Sequence, residues 1–125
     1  GAGMMSDALF LLNEVRDLLS SPENWCQGAL ATTFDDHEVS PTAITACKWC
    51  IIGAVYYVGQ SYPLGARSRA VEILTDILSE QYGLAPSAFN DNPATTHADV
   101  VRVIDEAIAR EGAFIGFEFE CYSGR

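Results

Sequence analysis

The chain has 125 residues, of which 49% are hydrophobic and 19% are charged. This length and mix predict a single globular domain over residues 4–125 and exclude a disordered chain. The net charge is −10, with Lys48 as the one lysine, so we expect no direct nucleic-acid binding, because such a surface repels phosphates.

The ends of the chain and its apolar runs bear on where the protein is expected to reside. The longest apolar run, residues 49–59, is too short to cross a bilayer, and no basic segment followed by an apolar one opens the chain. We therefore expect a cytoplasmic protein with reduced thiols and no membrane segment. Residues 1–3, Gly-Ala-Gly, resemble the remnant of a cleaved expression tag and are left out of the fold prediction.

The first third of the chain predicts a helix followed by a hairpin. Leucines recur at helical spacing over residues 6–20, with Ser6 as the expected cap and Pro22 just after the end. Two short strands, residues 29–33 and 38–40, are then expected to pair around an acidic turn.

Residues 42–59, which include the most apolar stretch of the chain at residues 46–59, are predicted to form the second helix. Because it is apolar on nearly every side, it is expected to lie at the centre, covered by the other helices. Gly53 within it would let another element approach its backbone, although glycine costs a helix about 1 kcal/mol relative to alanine. In this interpretation Trp49 and Cys50 belong to the core.

Residues 66–82 are predicted to form an amphipathic third helix. Gly83 suits the left-handed position after its last turn, and a loop over residues 84–95 follows. Thr96 and Asp99 have the spacing of a capping box at the start of a fourth helix.

The tail of the chain is predicted to leave the helical pattern. Gly112 is expected to end the fourth helix, and residues 114–121 alternate apolar and acidic side chains, as in a half-buried strand. The predicted class is therefore α+β, mainly α. About four helices surround a central apolar helix, with a small antiparallel sheet made of the hairpin and the C-terminal strand. The open edge of that strand would allow a homodimer.

Four cysteines raise the question of metal or redox chemistry. Cys47 and Cys50 have the Cys-x-x-Cys spacing of a zinc knuckle, and Cys26 and Cys121 would complete four thiolates. The same spacing occurs in dithiol redox sites, where the first cysteine opens a helix. Both cysteines of the motif fall inside the predicted second helix. Packing as small hydrophobes is therefore the preferred interpretation, and no metal or other cofactor is assigned.

A cysteine nucleophile is the enzymatic interpretation of the chain. Cys26 lies in a predicted loop after Trp25, and His97 lies in the first turn of the fourth helix. Asp91 or Asn90 would orient the imidazole in a Cys–His–Asp/Asn arrangement. Spacing alone does not bring these groups together, so the enzyme question stays open and a non-enzymatic protein is favoured.

Two polar clusters can be interpreted either as functional sites or as structural turns. Asp35, Asp36 and Glu38 offer three carboxylates to a divalent cation, but they lack the ligand spacing and glycine of an EF-hand. Residues 90–92, Asn-Asp-Asn, can close Asx-turns and cap the next helix without any functional role. A solvated turn is the preferred interpretation of the first cluster.

Short motifs at fixed intervals resemble those of a known family. They are Trp25-Cys26-x-Gly28-Ala29, Trp49-Cys50-x-x-Gly53-Ala54, Phe89-Asn90-Asp91, Thr95-Thr96-x-x-Asp99-Val100 and Asp105-x-Ala107-Ile108. Over residues 9–109 the chain is similar to a family of small bacterial and phage proteins without an assigned activity. The resemblance implies a shared, small and mainly helical fold, and it supplies no catalytic residues.

The leading functional hypothesis is a non-enzymatic binding or regulatory module. Its acidic surface would bind a protein partner, or a groove would hold a small ligand through Trp25, Gln27, Asn90 and Asp91. The alternative is a small hydrolase or transferase that uses Cys26 with His97.

Overall fold

A computed structural model describes the backbone of residues 2–123 and the side chains of residues 7–114. Within this part of the chain the protein has five α-helices and a small antiparallel sheet, which confirms the predicted mainly helical α+β class. The helices are α1 (Ala2–Leu18), α2 (Ile51–Gly59), α3 (Leu64–Tyr82), α4 (Pro86–Asp91) and α5 (His97–Ser123). The strands are β1 (Ala31–Thr32), β2 (Glu38–Val39) and β3 (Lys48–Trp49), and a 3-10 helix spans Pro22–Asn24.

The hydrophobic core lies between α1, α3 and α5, with α2 packed against α1 and α3. The amphipathic character predicted for this helix is confirmed in α3, since the apolar residues on its inner face are buried: Ala70, Ile73, Leu74, Ile77 and Leu78. The long helix α1, and not the second helix, contacts each of α2, α3 and α5. Helix α1 begins at Ala2, so the expected cap at Ser6 is wrong.

Strand β1 lies in the middle of the sheet, between β2 and β3. The predicted hairpin is confirmed, although each of its strands is only two residues long. Thr32 pairs directly with Glu38 on one side and with Lys48 on the other. The third strand therefore comes from β3 and not from the C-terminal tail.

The predicted second helix over residues 42–59 is wrong in its first half. Helix α2 begins at Ile51, and Cys50 is its N-cap, whose thiol accepts a hydrogen bond from Gly53 N at 3.2 Å. The preceding residues form turns and β3, because the backbone of this segment pairs with β1. A run of apolar residues does not by itself distinguish a buried strand followed by a helix from one longer helix.

The predicted C-terminal strand is also wrong. Helix α5 continues through Gly112 to Ser123 and includes residues 114–121. The apolar residues at 114, 117 and 121 also fit helical spacing, and a glycine within a helix costs only about 1 kcal/mol. The open strand edge from which a homodimer was predicted is therefore absent at residues 114–121.

The connections on either side of α4 follow local capping rules. Gly83 adopts a left-handed conformation (φ 67°), as predicted. The predicted capping box is confirmed, because Thr96 N donates to Asp99 Oδ2 at 2.9 Å and Asp99 N donates to Thr96 Oγ1 at 3.2 Å. The segment predicted as a loop contains the short helix α4, which begins at Pro86 and buries Phe89 completely.

None of the helices within the described residues combines the length and the apolar character that a membrane-spanning helix needs.

Candidate functional site

The two Trp-Cys segments of the sequence lie side by side. Trp25 and Trp49 form a parallel β-bridge, and Cys26 N donates to Trp49 O at 3.1 Å. Cys50 N donates to Leu30 O at 3.0 Å, which ties the second segment to the chain that follows the first. Trp49 and Cys50 are buried, so their predicted place in the core is confirmed, although they form a strand end and a helix cap.

Asn90, at the end of α4, joins these segments through a fully buried side-chain amide. Its Oδ1 accepts hydrogen bonds from Trp25 Nε1 at 2.8 Å and from Ile51 N at 3.0 Å. Its Nδ2 donates to Cys26 O and to Asp91 Oδ1, both at 3.0 Å. An asparagine amide has two donor hydrogens and two acceptor lone pairs, so Asn90 uses its entire capacity within the protein. We call Asn90 and these four partners the Asn90 cluster.

The segment after Trp25 is held on the same helix end. Gln27 Nε2 donates to Asn90 O at 2.9 Å and to Asn92 O at 3.1 Å. Gly28 N donates to Asp91 Oδ1 at 2.9 Å, and Gly28 has a positive φ of 87°, which favours glycine. The turn at residues 27–28 therefore has a fixed position relative to α4.

The structure brings together the four residues that were predicted as a ligand site: Trp25, Gln27, Asn90 and Asp91. Their polar atoms bind one another and the backbone, so they fix the position of the chain. Two of them, Trp25 and Gln27, also line an open pocket.

A pocket of about 430 Å³ lies between residues 25–29 and the sheet. The sheet contributes Thr32, Glu38 and Lys48, and the turn between β1 and β2 contributes Asp36. Gly53 of α2 packs directly against the backbone of Leu30, because a Cβ atom at residue 53 would lie 1.9 Å from Leu30 O. The pocket is therefore built between two segments whose backbones are held in place.

Thr32 is the notable residue of the pocket. Its side chain is only 6% exposed, and its Oγ1 has no hydrogen-bond partner among the described residues. Leaving a buried hydroxyl unpaired costs about 1–3 kcal/mol. Sequence reasoning missed Thr32, because the strand that places it opposite Lys48 was predicted as part of a helix.

Cys26 lines the same pocket as a buried, protonated thiol. Its Sγ donates to Ala29 O at 3.7 Å. Burial, with a smaller contribution from the nearby Cys50, raises the pKa of the Cys26 thiol to about 11, and the Thr32 hydroxyl beside it opposes this shift only in part. The Thr32 hydroxyl lies beside the Cys26 sulfur, but a neutral thiol is a weak acceptor, so this contact does not replace a full hydrogen bond. At neutral pH the reactive thiolate of Cys26 is therefore scarce.

His97 contacts other groups. Its Nε2 lies 2.6 Å from Leu19 O, which ties the start of α5 to the end of α1, and its ring centroid lies 6.1 Å from that of Trp25. Among the described side chains no hydrogen bond links His97 to Cys26. Asn90 and Asp91, which were predicted to orient the imidazole, are bonded within the Asn90 cluster.

Cysteines and carboxylates were considered as metal ligands but not assigned as such, and among the described side chains no group of three or more His, Cys, Asp or Glu residues is placed to hold an ion. Cys47 is exposed, so its predicted core packing is wrong, whereas Cys50 is buried at the start of α2. The side chain of Cys121 lies outside the described residues.

The acidic turn forms a local network instead. Asp35 accepts a hydrogen bond from the Thr33 hydroxyl, which lowers the pKa of Asp35, and it lies 3.4 Å from His37 Nδ1. Asp36 accepts a hydrogen bond from Lys48 Nζ at 2.8 Å.

Comparison with known proteins identifies the family of this chain. No curated protein and no solved structure matches it. The motifs predicted a family without an assigned activity, and this is confirmed. A model described as a family of unknown function, DUF6197, matches residues 5–110, and the chain therefore belongs to that family.

Proposed function

We propose that this protein is a non-enzymatic binding module whose pocket, between residues 25–29 and the sheet, holds a small polar molecule. The observation that carries the proposal is the unpartnered hydroxyl of Thr32 in the wall of that pocket. Buried polar side chains are nearly always hydrogen-bonded, and an exception calls for an explanation. A ligand that bonds to Thr32 Oγ1 supplies one.

The size and chemistry of the pocket support a small ligand. Its volume of about 430 Å³ lies within the range of about 300–1,000 Å³ that is typical of small-molecule sites. Asp36, Glu38 and Lys48 give it charged walls, which suit a polar molecule better than an apolar one.

The rigidity of the pocket wall supports binding. The Asn90 cluster and the bonds from Gln27 fix residues 25–28 before any ligand arrives. A preformed wall reduces the conformational entropy that binding would otherwise cost.

The protonation state of Cys26 favours binding over cysteine catalysis. A thiol with its pKa raised to about 11 is a poor nucleophile at neutral pH. His97, the expected base, is bonded to Leu19 O instead. The hydrolase or transferase alternative therefore has no observation in its favour.

A metabolite screen tests the proposal. We would screen amino acids, amines, sugars, organic acids and nucleosides by ligand-observed NMR, and map each hit on the amide resonances of ¹⁵N-labelled protein. We expect hits that shift the amides of Thr32, Gly28 and Lys48, and that weaken about two- to tenfold in Thr32→Val because one hydrogen bond is lost.

Thr45→Val is the matched control, because Thr45 is exposed outside the pocket. It should leave the affinity of each hit unchanged. If the screen yields no hit, or if the hits map away from the pocket, the proposal is wrong.

A further inference from the structure

Three side chains of the pocket lie in one row across the sheet. Thr32 of β1 pairs directly with Glu38 of β2 and with Lys48 of β3, and all three line the pocket. Directly paired residues in an antiparallel sheet point to the same face, with their Cβ atoms about 4.5–5.5 Å apart. The pocket wall therefore presents a carboxylate, a hydroxyl and an ammonium side by side, which we call the Glu38–Thr32–Lys48 row.

The charge of Lys48 is already balanced. Its Nζ donates to Asp36 Oδ1 at 2.8 Å, and this hydrogen bond raises the pKa of Lys48, so the ammonium stays protonated. Lys48 is only 24% exposed, whereas Glu38 is exposed and forms no ion pair with any described residue. Among the described residues of the pocket, Glu38 is therefore the charged group that has no ion-pair partner, whereas Asp36 and Lys48 pair with each other.

The surroundings of the pocket disfavour a negative charge. Asp91 lies behind residues 25–28 and binds Gly28 N, and the chain as a whole carries a net charge of −10. The pKa of the Cys26 thiol is raised mainly by burial, and the negative charge of Asp91 adds to this effect against a smaller opposing effect of Lys48. An anion placed beside Cys26 would meet the same repulsion as the thiolate.

We propose that the ligand is a small protonated amine that also carries a hydroxyl, with its ammonium paired to Glu38 and its hydroxyl bonded to Thr32 Oγ1. The cross-strand spacing suits an amine and a hydroxyl that are separated by about two carbons. The ammonium stays near the exposed mouth of the pocket, where its desolvation cost is small, and the hydroxyl satisfies the buried group. This inference rests on the proposed function and adds the chemical class of the ligand.

Three two-carbon probes of different charge test the class. They are 2-aminoethanol, ethylene glycol and glycolate, each titrated into ¹⁵N-labelled protein at low ionic strength. We expect 2-aminoethanol to shift the amides of Thr32, Glu38 and Gly28. Ethylene glycol should bind about two- to fivefold more weakly, because it lacks the ion pair, and glycolate more weakly still.

Two variants separate the two contacts. Glu38→Gln should weaken 2-aminoethanol about two- to fivefold and leave ethylene glycol unchanged, and added salt should reproduce this loss in the unaltered protein. Thr32→Val should weaken both probes. Glu23→Gln, an exposed carboxylate outside the pocket, should change neither affinity.

The outcomes distinguish this inference from the proposed function. If glycolate binds at the pocket as tightly as 2-aminoethanol, or if Glu38→Gln has no effect, the ligand class is wrong and the pocket remains a binding site. If none of the three probes shifts the pocket amides, the amino-alcohol inference is overturned, and the metabolite screen decides the proposed function separately.

Discussion

Asn90 and Thr32 are both buried polar residues beside the same segment, yet their hydrogen bonding differs completely. Asn90 is fully buried and uses all four of its donor and acceptor sites within the protein. Thr32 is 6% exposed and its hydroxyl bonds to none of the described residues. A saturated buried group stabilises the fold, whereas an unsaturated one costs stability, and at this pocket we propose that a ligand satisfies it.

The comparison also separates the motif residues from the residues on which the proposed function depends. Trp25, Asn90 and Asp91 are the distinctive residues of the sequence, and their polar atoms hold the chain together. The pocket beside them depends on Thr32 and Glu38, which look like ordinary strand residues.

Asn90→Ala should have the largest effect on stability. It leaves Trp25 Nε1, Ile51 N and Cys26 O without their partner, and each unpaired buried group costs about 1–3 kcal/mol. We expect the free energy of unfolding to fall by ~3 kcal/mol or more, measured by urea denaturation with tryptophan fluorescence.

Asn92→Ala is the control for that loss. Asn92 is exposed and its side chain accepts one hydrogen bond, from Ala94 N at 2.9 Å. Its removal should cost about 1 kcal/mol or less. Equal losses for the two variants would contradict the role of the Asn90 cluster.

Gly53→Ala should destabilise the protein through a steric conflict. The added Cβ would lie 1.9 Å from Leu30 O, and the clash is with backbone, which cannot rotate away. We expect a loss of about 3 kcal/mol, at the upper end of typical overpacking costs.

Gly112→Ala provides the same substitution in open space. Gly112 is inside α5, and among the described residues no atom outside its own stretch of the helix lies within 4 Å of the position of its added Cβ. Here alanine should raise the free energy of unfolding by about 0.5–1 kcal/mol. Changes of the same sign at the two glycines, measured by urea denaturation, would refute the close approach at Gly53.

Secondary-structure elements could be predicted from the sequence where the signals that determine them lie within a few residues of each other. Helix α3 and the start of α5 were predicted because periodicity, Gly83 and the Thr96–Asp99 box agree within a few residues. The helix predicted over residues 42–50 was wrong because the pairing of β3 with β1 decides the conformation of this segment, and hydropathy does not record such pairing.

The candidate site was predicted only in part, for the same reason. The motifs drew attention to Trp25 and Asn90, which do meet in space, but not to the fact that they bind each other. The Glu38–Thr32–Lys48 row needs all three strands in register, and β3 was hidden inside a predicted helix. Long-range register has no local signature in a single sequence.

Cys26 should react slowly with iodoacetamide at neutral pH. Its pKa, raised from 9.0 to about 11, lowers the thiolate fraction about 100-fold relative to an ordinary thiol. Because an acid with a raised pKa ionises only at higher pH, the rate should climb about tenfold per pH unit between pH 7 and 10. Peptide mass spectrometry would measure the labelling.

Cys47 is the internal control, because it is exposed in the same chain. It should be labelled well before Cys26 at every pH from 7 to 9. Faster labelling of Cys26 than of Cys47 would instead reveal an activated thiol and would favour the cysteine-dependent enzyme.

Thr32→Val should have the smallest effect on stability, and its sign is the informative part. Valine has nearly the same shape as threonine and suits a strand, so the change removes an unpaired buried hydroxyl without leaving a cavity. We expect the free energy of unfolding to stay constant or to rise by up to ~1 kcal/mol.

Thr96→Val, the same change at a hydroxyl that caps α5, should instead cost about 1 kcal/mol. A loss at Thr32 as large as the loss at Thr96, measured by urea denaturation, would mean that the Thr32 hydroxyl already has a partner within the protein. The case for a ligand at this position would then fall, because it depends on a hydrogen bond that the fold itself leaves unmade.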